Sequence, residues 1–551
     1  MPSVKTFTRA LTHVLTPTLI FALSALAQTS PPAANGVVYA TATSNLATLC
    51  SDFIGTVVIS VAVKVTANTT IPSQCSIRMQ QGGIVAVALS VRLTFDGAFE
   101  AGLYQVFTGA GVSGITFGSS SVDAIRPQWA GAAGNGTSDD SAAIQWALNV
   151  AANSTVKRIA LAPAQYLLNS PMDVTSGSGI NHSSIAVYSE GRRGTAILAN
   201  TGGTVFDLTG SSYTSWRGLY IVSGPTNPST VGFFAAASKT SGDSSYNKFD
   251  EITLQLYVSR FTSLYGSVGY IFVGSEENTI ETTNTYATTP YIFTTTYADV
   301  SASYPSPFQS SNVAVNHSEG MTTFSGENSS VTFDRKGANL VLDGANSTEL
   351  GNMYFGNMNI GAAGANNDVI RVLNGTLESF HGRCKVEGKP TLLDITAGQI
   401  YGWDLEVSYG AVDAKGPVVA FNTVTLSNTR FVNVELTVNY FDPAQAEFAG
   451  KPLFSAYGVP SSMAPTVANV LVKVNQTLAQ FGQTSPWPLW FSGHDANMTV
   501  ELVDKVYTLS APSTVSERAL QRQSPLPGTR GGKRPGAASA ACSPLLALPT
   551  T

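Results

Sequence analysis

The chain has 551 residues, of which only 12% are Asp, Glu, Lys or Arg, and its formal net charge is −5 with a pI near 5.6. This negative balance argues against nucleic acid and anionic membrane surfaces as partners, because both attract proteins through Lys and Arg. The 50 glycines and the low charge content favour strands and tight turns over exposed charged helices, so a helical bundle is not expected.

The first 27 residues have the pattern of a secretory signal peptide. Lys5 and Arg9 precede the apolar stretch LIFALSALA, which ends with small residues at Ala25 and Ala27. This run is far shorter than the roughly 20 apolar residues of a membrane-spanning helix, and no later segment reaches that length. We expect cleavage near Ala27 and a soluble protein that is secreted, extracellular or periplasmic and is not inserted into a membrane.

The four cysteines are too few for a disulfide scaffold, so a large core must hold the fold together. Cys50 and Cys75 could pair in an oxidising compartment, whereas Cys384 and Cys542 have no obvious partner. The sequence alone leaves open whether a bridge forms.

Residues 28–122 are predicted to be a β-rich N-terminal extension. Short β-forming runs are separated by turn residues, and in the run VRLTF, residues 91–95, apolar and polar side chains alternate. Many short strands at near-regular spacing are typical of a sandwich, a barrel or a solenoid. Periodicity does not choose among these three folds.

One short amphipathic helix is predicted after this extension, within GAAGNGTSDDSAAIQWALNVAA, residues 131–152. Its apolar residues follow the i, i+3, i+4, i+7 rule and form one narrow stripe. The residues of this stripe are Ile144, Ala147, Leu148 and Ala151.

Two adjacent acids stand at the start of this helix. We expect Thr137 or Ser138 to cap the helix, which puts Asp139 and Asp140 in its first turn. The positive end of the helix dipole favours carboxylates there by about 0.3–1 kcal/mol each. We therefore interpret both acids as structural and not as a catalytic pair.

The segment IRPQWAGAAGNGTSDDSAAIQWALNVAA, followed by KRIALAPAQYLL, resembles the entry motif of the pectate-lyase-like superfamily. The resemblance is to the rhamnogalacturonase/epimerase-type and phage-tailspike-type right-handed β-helix proteins in particular. Asn135 replaces the usual Asp, and PAQY lacks the usual Gly and is one residue short. The matching residues are Trp129, Gly134, Gly136, Asp139, Asp140, Ala143, Ile144, Gln145, Pro163 and Tyr166.

This resemblance implies an all-β fold, a right-handed parallel β-helix over residues 123–511, with the helix capping its N-terminal end. It also implies that function lies on the outward faces of the middle rungs, and a tailspike-like protein could be a trimer. Close similarity covers about residues 50–260, and beyond them only the general rung pattern continues.

Two segments depart from the rung pattern. The stretch from Tyr257 to Tyr304, rich in Tyr, Thr and Phe, is interpreted as long loops over one face, with aromatics that either stack on sugars or form a local loop core. Residues 512–551 change abruptly to Pro, Arg, Gly and Ala and are predicted to be a disordered C-terminal tail. Asn-x-Ser/Thr triplets, for example at Asn68, Asn316, Asn346 and Asn497, would carry glycans in a eukaryotic host; the alternative is that asparagines stack as hydrogen-bonded ladders at the turns.

Three late strands each place ionisable or polar residues on one face, in FHGRCKVEG, YGWDLEVSYG and RFVNVELTV. The third strand is expected to show Asn433 and Glu435 on the same face. If the strands stack, these groups would lie about 5 Å apart on neighbouring rungs. The candidate catalytic residues on these strands are His381, Arg383, Asp404, Glu406 and Glu435.

Such a face would allow two chemistries on a plant or bacterial polysaccharide. A lyase needs an unprotonated base, here Arg383 or Lys385, and Asp404, Glu406 and Glu435 could hold Ca²⁺ beside it. A glycoside hydrolase needs two carboxyl groups, one protonated and one ionised. The alternative is a non-catalytic carbohydrate-binding or surface-adhesion solenoid, which the lack of the polygalacturonase signature favours. No other cofactor is predicted.

Overall fold

The computed structural model describes residues 36–177, most of 179–294, and chiefly the strands between 312 and 519. The undescribed positions before residue 295 are 1–35, 178, 192–193, 238–243, 260–261, 265–266, 276 and 288. The later described segments are 312–321, 323–325, 340–343, 350–351, 354–363, 370–374, 376–378, 381–387, 393–409, 419–421, 430–440, 454–455, 466–475, 496–503, 505–510 and 514–519. Within these ranges no helix is long and apolar enough to cross a membrane. The predicted signal peptide lies outside the described residues.

Residues 36–117 form a first stack of short parallel strands with three faces. Three consecutive strands make one coil, and each face takes one strand from each coil. The segment that the sequence left undecided is therefore a solenoid. Its elements are β1 (Gly36–Tyr39), α1 (Leu46–Ser51), β2 (Gly55–Ile59), β3 (Ala62–Val65), β4 (Thr69–Ile71), β5 (Cys75–Met79), β6 (Ile84–Val87), β7 (Leu93–Phe95), β8 (Phe99–Glu100), β9 (Phe107–Thr108) and β10 (Ile115–Phe117).

The core of the first stack follows the predicted alternation. In VRLTF, Leu93 and Phe95 are fully buried, while Thr94 is half-buried and Arg92 is exposed. Leu93 lies in register with Ile115 of the next coil. Side chains at paired positions of parallel strands point the same way, so these two residues face the same side of the sheet. Burial of one side of each strand thus stabilises the stack.

Helix α1 is fastened to the first stack by a disulfide. Asn45 caps the helix, and its Oδ1 accepts a hydrogen bond from the amide of Ala47 at 2.9 Å. Cys50 in this helix is bonded to Cys75 at the start of β5, with the two Cα atoms 5.5 Å apart. The pairing that the sequence left open is therefore present.

The second stack runs from residue 135 to the end of the described chain. Its first elements are β11 (Asn135–Asp139), α2 (Ser141–Asn153), β12 (Arg158–Leu161), β13 (Gln165–Leu168), β14 (Met172–Asp173), β15 (Ala186–Ser189), β16 (Ala196–Ala199), β17 (Thr204–Asp207), β18 (Ser215–Arg217), β19 (Tyr220–Ser223), β20 (Val231–Ala236), β21 (Lys248–Asp250), β22 (Thr253–Gln255), β23 (Tyr257–Ser259), β24 (Thr262–Leu264), β25 (Val268–Val273), β26 (Thr279–Ala287) and β27 (Thr289–Thr294).

The later strands continue the same winding. They are β28 (Asn312–Met321), β29 (Thr323–Ser325), β30 (Leu340–Asp343), β31 (Leu350–Gly351), β32 (Tyr354–Ala363), β33 (Ile370–Asn374), β34 (Thr376–Glu378), β35 (His381–Glu387), β36 (Leu393–Ile395), β37 (Gln399–Tyr401), β38 (Asp404–Tyr409), β39 (Val419–Phe421), β40 (Arg430–Tyr440), β41 (Phe454–Ser455), β42 (Thr466–Val474), β43 (Ala496–Glu501), β44 (Lys505–Ser510) and β45 (Thr514–Ala519).

Three faces result in this stack as well. One is a ten-stranded parallel sheet that begins with β14, β17 and β20, and the other two adjoin at a tight corner within a 22-stranded sheet. The predicted fold class, an all-β parallel β-helix with a helix at its N-terminal end and a β-rich extension before it, is confirmed.

The corner within the 22-stranded sheet has a repeated form. Its first residue has a positive φ, which Gly and Asn adopt most readily, and the next residue is buried in the core. Asn433 (φ 55°) and Asn469 (φ 50°) occupy this position in successive coils, and Asn469 Nδ2 donates to Asn433 Oδ1 at 2.7 Å. The expected asparagine ladder is therefore present. The expectation that Asn433 shares a face with Glu435 is wrong, because the corner turns Asn433 away.

Helix α2 lies between the two stacks. The whole predicted stripe is buried, and so is Trp146 on another side, whose Nε1 donates to the carbonyl oxygen of Val112 in the first stack at 3.0 Å. Toward the second stack, the side-chain amide of Gln145 donates to the carbonyl oxygen of Asp173 at 2.7 Å and accepts from the backbone amide of Asp173 at 2.8 Å. The helix therefore shields the end of the second stack and contacts the first.

The helix begins two or three residues later than the predicted caps imply, because its N-cap is Asp140 and not Ser138 or Thr137. Thr137 and Ser138 belong to β11, where their amides donate to Oδ1 of Asn135 at 3.0 and 2.8 Å. Asp140 is the residue before the helix, and Asp139 accepts from the first helical amide, that of Ser141, at 3.0 Å. The expected caps are wrong because a turn fixed by Asn135 holds them in a strand.

The aromatic stretch after Tyr257 forms core and not surface loops, as far as it is described. Phe233 stacks on Tyr270 with ring centroids 5.3 Å apart, and Tyr270 stacks on Tyr291 at 5.4 Å. Their strands, β20, β25 and β27, are buried on both faces, so apolar residues follow one another without alternation. The loop interpretation is therefore wrong for the strands between Val268 and Thr294. Strands β23 and β24 before them pair in a separate three-stranded sheet, and residues 295–304 lie outside the described residues.

The C-terminal end of the second stack reverses direction. Strand β43 pairs in parallel with β42, but β44 and β45 fold back as antiparallel strands. Residues Thr514–Ala519 were expected to belong to the disordered tail, and this part of the prediction is wrong because they pair along the whole of β44. Residues 520–551 lie outside the described residues.

Candidate functional site

The predicted site strands lie side by side on one outward face. Asp404 is in register with His381 on one side and with Glu435 on the other. Glu406 is in register with Arg383 and with Thr437, one column further along the strands. The backbone thus brings together all five candidate residues, in two adjacent columns.

The same outward face carries further polar residues that the sequence analysis does not include. Lys473 is in register with Thr437, and Glu501 with Lys473, while Asn439 lies two residues beyond Thr437 on the same side. Alternation in VLVKV and MTVEL could have marked the two charges as outward, but only the coil spacing shows where they align. We call the set the charged strip, made of His381, Arg383, Asp404, Glu406, Glu435, Thr437, Asn439, Lys473 and Glu501.

The intervening residues fix the direction of the strip. Leu405, Leu436 and Val472 alternate with the charged positions and are buried, with at most 1% exposure. Because side chains alternate along a strand, this burial turns the charged positions to the outside. Asp404 is exposed, and Glu406 and Glu435 are half-buried.

Two pairings link coils within the strip. Lys473 Nζ forms an ion pair with Glu435 Oε1, and each side chain keeps 42% of its surface exposed. Asn439 Nδ2 donates to Glu406 Oε1 at 3.2 Å. The side chains of His381 and Arg383 lie outside the described residues, so only their backbone positions are known.

Lys473 is a fixed cation at the centre of these acids. Its hydrogen bond to Glu435 raises its pKa above the ordinary value; burial acts in the opposite direction, and the charges of Glu435, Glu501 and Asp404 add to the rise. A lysine with a raised pKa stays protonated and does not act as a base. Within the described side chains, Lys473 is thus suited to donate hydrogen bonds and not to abstract protons.

The acids of the strip do not fit the Ca²⁺ site that a lyase would need. The ammonium group of Lys473 already neutralises Glu435, and Glu406 accepts a hydrogen bond from Asn439. Among the described side chains, no three acids, histidines or cysteines converge as metal ligands. No step of the chemistry below passes through a metal.

The acids of the entry motif are engaged in the backbone around α2. Asp140 is buried, with 1% exposure, and its carboxylate accepts hydrogen bonds from the amides of Ala133 at 2.6 Å and Gly134 at 3.2 Å. Burial raises the pKa of Asp140, and these hydrogen bonds offset the rise only in part. Partial burial also acts to raise the pKa of Asp139, but hydrogen bonds from Ser141 and Asn169 outweigh it and lower the pKa.

A concave surface lies on the first stack, at the end of α2. This cleft has a volume of about 510 Å³ and its only charged lining residue is Arg92. Thr94 and Thr116 line it with hydroxyl groups 3.0 Å apart, and Asn153 of α2 closes one side. The cleft is polar, but its lining holds no carboxylate and so lacks the pair that hydrolysis needs.

No family model and no curated protein matches the sequence. The chain is similar in fold to a crystal structure of PfbA, a surface adhesin of Streptococcus pneumoniae, with 10% identity, a TM-score of 0.46, and 72% of this chain and 99% of that chain covered. It is also similar to the A-module of Azotobacter vinelandii mannuronan C-5 epimerase AlgE4, with 13% identity, a TM-score of 0.34, and coverage of 71% and 99%.

A third similar structure is Geobacillus virus E2 ORF18, with 10% identity and a TM-score of 0.35. The match covers 70% of this chain but only 64% of that one, so the chain spans less than two thirds of its length. At these identities the likenesses concern the fold alone.

Proposed function

We propose that this chain is an exported protein that binds a polysaccharide along the charged strip. The observation that carries the proposal is the strand register, which aligns Arg383, Glu406, Thr437, Lys473 and Glu501 in one column across five strands, with His381, Asp404 and Glu435 in the column beside it. Sugar hydroxyl groups both donate and accept, so carboxylates, amides and ammonium groups in alternation suit them. Neighbouring strands lie about 4.8 Å apart, which makes the strip a regular, extended surface for an extended polymer.

Export is supported from two sides. Residues 1–27 have the pattern of a secretory signal, and the Cys50–Cys75 disulfide suits an oxidising compartment. The net charge of −5 and the four carboxylates of the strip favour a neutral glycan over a polyanionic one. A carboxylate on the polymer would have to lie near Lys473 or Arg383.

A glycoside hydrolase is the second candidate, favoured by the register of Asp404 with Glu435 on adjacent coils. Retaining hydrolases carry two carboxyl groups about 5–5.5 Å apart, close to the strand spacing. Glu435, whose charge is paired with Lys473, would be the nucleophile, and Asp404 would protonate the leaving oxygen. Water would then release the glycosyl group from Glu435 with Asp404 as base.

The test is a panel of neutral and acidic glycans incubated with the purified mature protein, with and without Ca²⁺. Retention on a glycan without any product supports the binder, and new reducing ends support the hydrolase. New ultraviolet absorbance from an unsaturated sugar would instead indicate a lyase, with Arg383 or Lys385 as its base. A protein that no glycan retains and that forms no product from any glycan would overturn the proposal.

The variant Glu435→Gln locates the function on the strip. It removes the ion pair with Lys473, and we expect glycan retention to weaken about tenfold, the value of a hydrogen bond to a charged group. Glu100→Gln is the matched control, because Glu100 forms the analogous exposed pair with Arg78 on the first stack. Equal retention by both variants would exclude the strip as the binding surface.

A further inference from the structure

Two tyrosines lie one above the other on a different edge of the second stack. The rings of Tyr213 and Tyr246 are parallel within 3°, and their centroids are 4.7 Å apart. Tyr213 is 58% exposed and Tyr246 is 43% exposed, so the pair forms a solvent-exposed aromatic surface at an outer corner. We call this pair the tyrosine ladder.

The backbone at this corner is unfavourable for tyrosine. Tyr213 has a φ of 60° and Tyr246 a φ of 59°, in the left-handed region that bulky residues rarely adopt. The equivalent corner residues of the coils before and after are Ser184 and Glu277, which share the same backbone shape. The corner therefore does not require an aromatic residue, and Gly or Asn would adopt the same shape with less strain.

Polar groups flank the ladder on both sides. The amide of Ser245 donates to Oγ of Ser212 at 3.0 Å, directly before the two tyrosines in sequence. Two residues after each tyrosine, Ser215 and Lys248 are in register on the adjoining strands; Lys248 is exposed and forms an ion pair with Glu281 at 3.0 Å, which leaves its other N–H groups to donate. A flat apolar surface bordered by hydroxyl and ammonium groups matches a sugar ring, which has an apolar face and a polar rim.

The size of the ladder excludes a larger partner. A stable protein interface buries about 800 Å² on each partner, and two rings bordered by polar side chains provide far less apolar surface. The ladder also stands apart from the charged strip, since it lies at the corner between the ten-stranded sheet and β18 and β21, several coils before β38.

We propose that the tyrosine ladder is a saccharide-stacking subsite, separate from the charged strip, that holds a pyranose ring of the same polysaccharide. This inference rests on the proposed function, because it takes its ligand from it. The sugar packs its apolar face on the tyrosine rings, and its hydroxyl groups bond to Ser215 and Lys248.

The test compares the mature full chain with the double variant Tyr213→Asn/Tyr246→Asn. Asn is tolerated at positive φ, so we expect an unchanged or higher melting temperature together with about tenfold weaker glycan retention. Tyr213→Phe/Tyr246→Phe keeps the rings and should keep most of the retention. Ser184→Asn, at the same corner one coil earlier, should change neither quantity.

The outcomes separate this inference from the proposed function. If the Asn variant is retained like the wild type while Glu435→Gln is weakened, the ladder is not a subsite and the strip remains. A lower melting temperature with unchanged retention of the folded variant shows that the ladder is structural and likewise overturns the inference. A wild-type protein that no glycan retains overturns both proposals.

Discussion

The first and second stacks share a three-sided winding but differ in their outer faces. In the first stack, strands such as β5 and β6 alternate between buried and more exposed residues, so they are buried on their inner side only. In the second stack the ten-stranded sheet is buried on both sides along β20, β25 and β27. The comparison shows that alternation of apolar and polar residues marks a strand with one solvent-exposed face, whereas a continuous apolar run marks a strand that is buried on both faces.

The largest expected effect tests this difference directly. Phe233→Ala should lower the free energy of unfolding by about 3–5 kcal/mol, and Phe234→Ala, on the opposite side of the same strand, by at least about 2 kcal/mol. In the first stack only the inward residue should matter, so Ile77→Ala should cost about 2–5 kcal/mol and Arg78→Ala less than about 1 kcal/mol. Urea unfolding of the four variants provides the measurement. A Phe234→Ala variant as stable as Arg78→Ala would show that the outer side is not a second core.

The next effect concerns the disulfide, which is described only in the first stack. Replacing Cys50 and Cys75 together with Ser should lower the free energy of unfolding by about 2–4 kcal/mol, because the unfolded chain gains the freedom of the opened loop. Unfolding of the wild type with and without a reductant gives the same comparison. Cys384→Ser is the control for thiol chemistry and should leave the reductant dependence in place. Identical curves with and without reductant would contradict a stabilising bridge.

The acids at the junction of the two stacks should show opposite responses to pH. The pKa of Asp139 is lowered below its ordinary 3.8, so its stabilisation is present above that value and is lost as the pH falls through the folded-state pKa. The pKa of Asp140 is raised, so its stabilisation is present below 3.8 and is lost as the pH rises through the folded-state pKa.

Single variants isolate these two contributions. Asp139→Asn should remove part of the loss of stability on acidification from pH 6 to pH 3, whereas Asp140→Asn should make that loss larger. Unfolding curves at several pH values, with Asp52→Asn at the exposed position directly after α1 as a control, would detect both changes. Any glycan retention per folded molecule should be unaffected, and its loss at full stability would return these acids to the candidate site.

The smallest expected effect on stability is at the charged strip. Glu406→Gln should change the free energy of unfolding by less than about 0.5 kcal/mol, because the residue lies on an outer face and its amide can still accept from Asn439. Thermal melting and glycan retention are measured on the same sample. Full retention of binding or activity by this variant would remove Glu406 from the site.

Much of the fold follows from local pattern, and the exceptions have physical causes. The stripe on α2 and the alternation in VRLTF predicted burial correctly, because period alone determines which side chains share a face. The run VGYIFV shows no alternation of apolar and polar residues, so its sequence alone is also compatible with a loop core. In the structure both faces of β25 are buried. The helix caps were misplaced because the side chain of Asn135 offers the backbone a competing turn.

The candidate site was predictable only in part for a related reason. Alternation places Asp404 and Glu406 on one face of β38, but it does not say which residue of the next coil lies opposite. The residue that lies opposite depends on the length of the connection between the two strands. In this protein Asp404 lies opposite Glu435, and Glu406 lies opposite Thr437. The corner at Asn433 also interrupts the alternation within β40, and only its positive φ reveals this.

Helix α2 has a consequence for how the molecule comes apart. In a solenoid each layer contacts only its neighbours. If no side chains crossed the seam, the junction between the two stacks, one stack could unfold while the other remained folded. Trp146 and Gln145 anchor the helix to opposite sides of that seam, and one continuous hydrophobic cluster runs through it. Because opening either stack exposes part of the same helix, we expect the two stacks to melt in one cooperative transition.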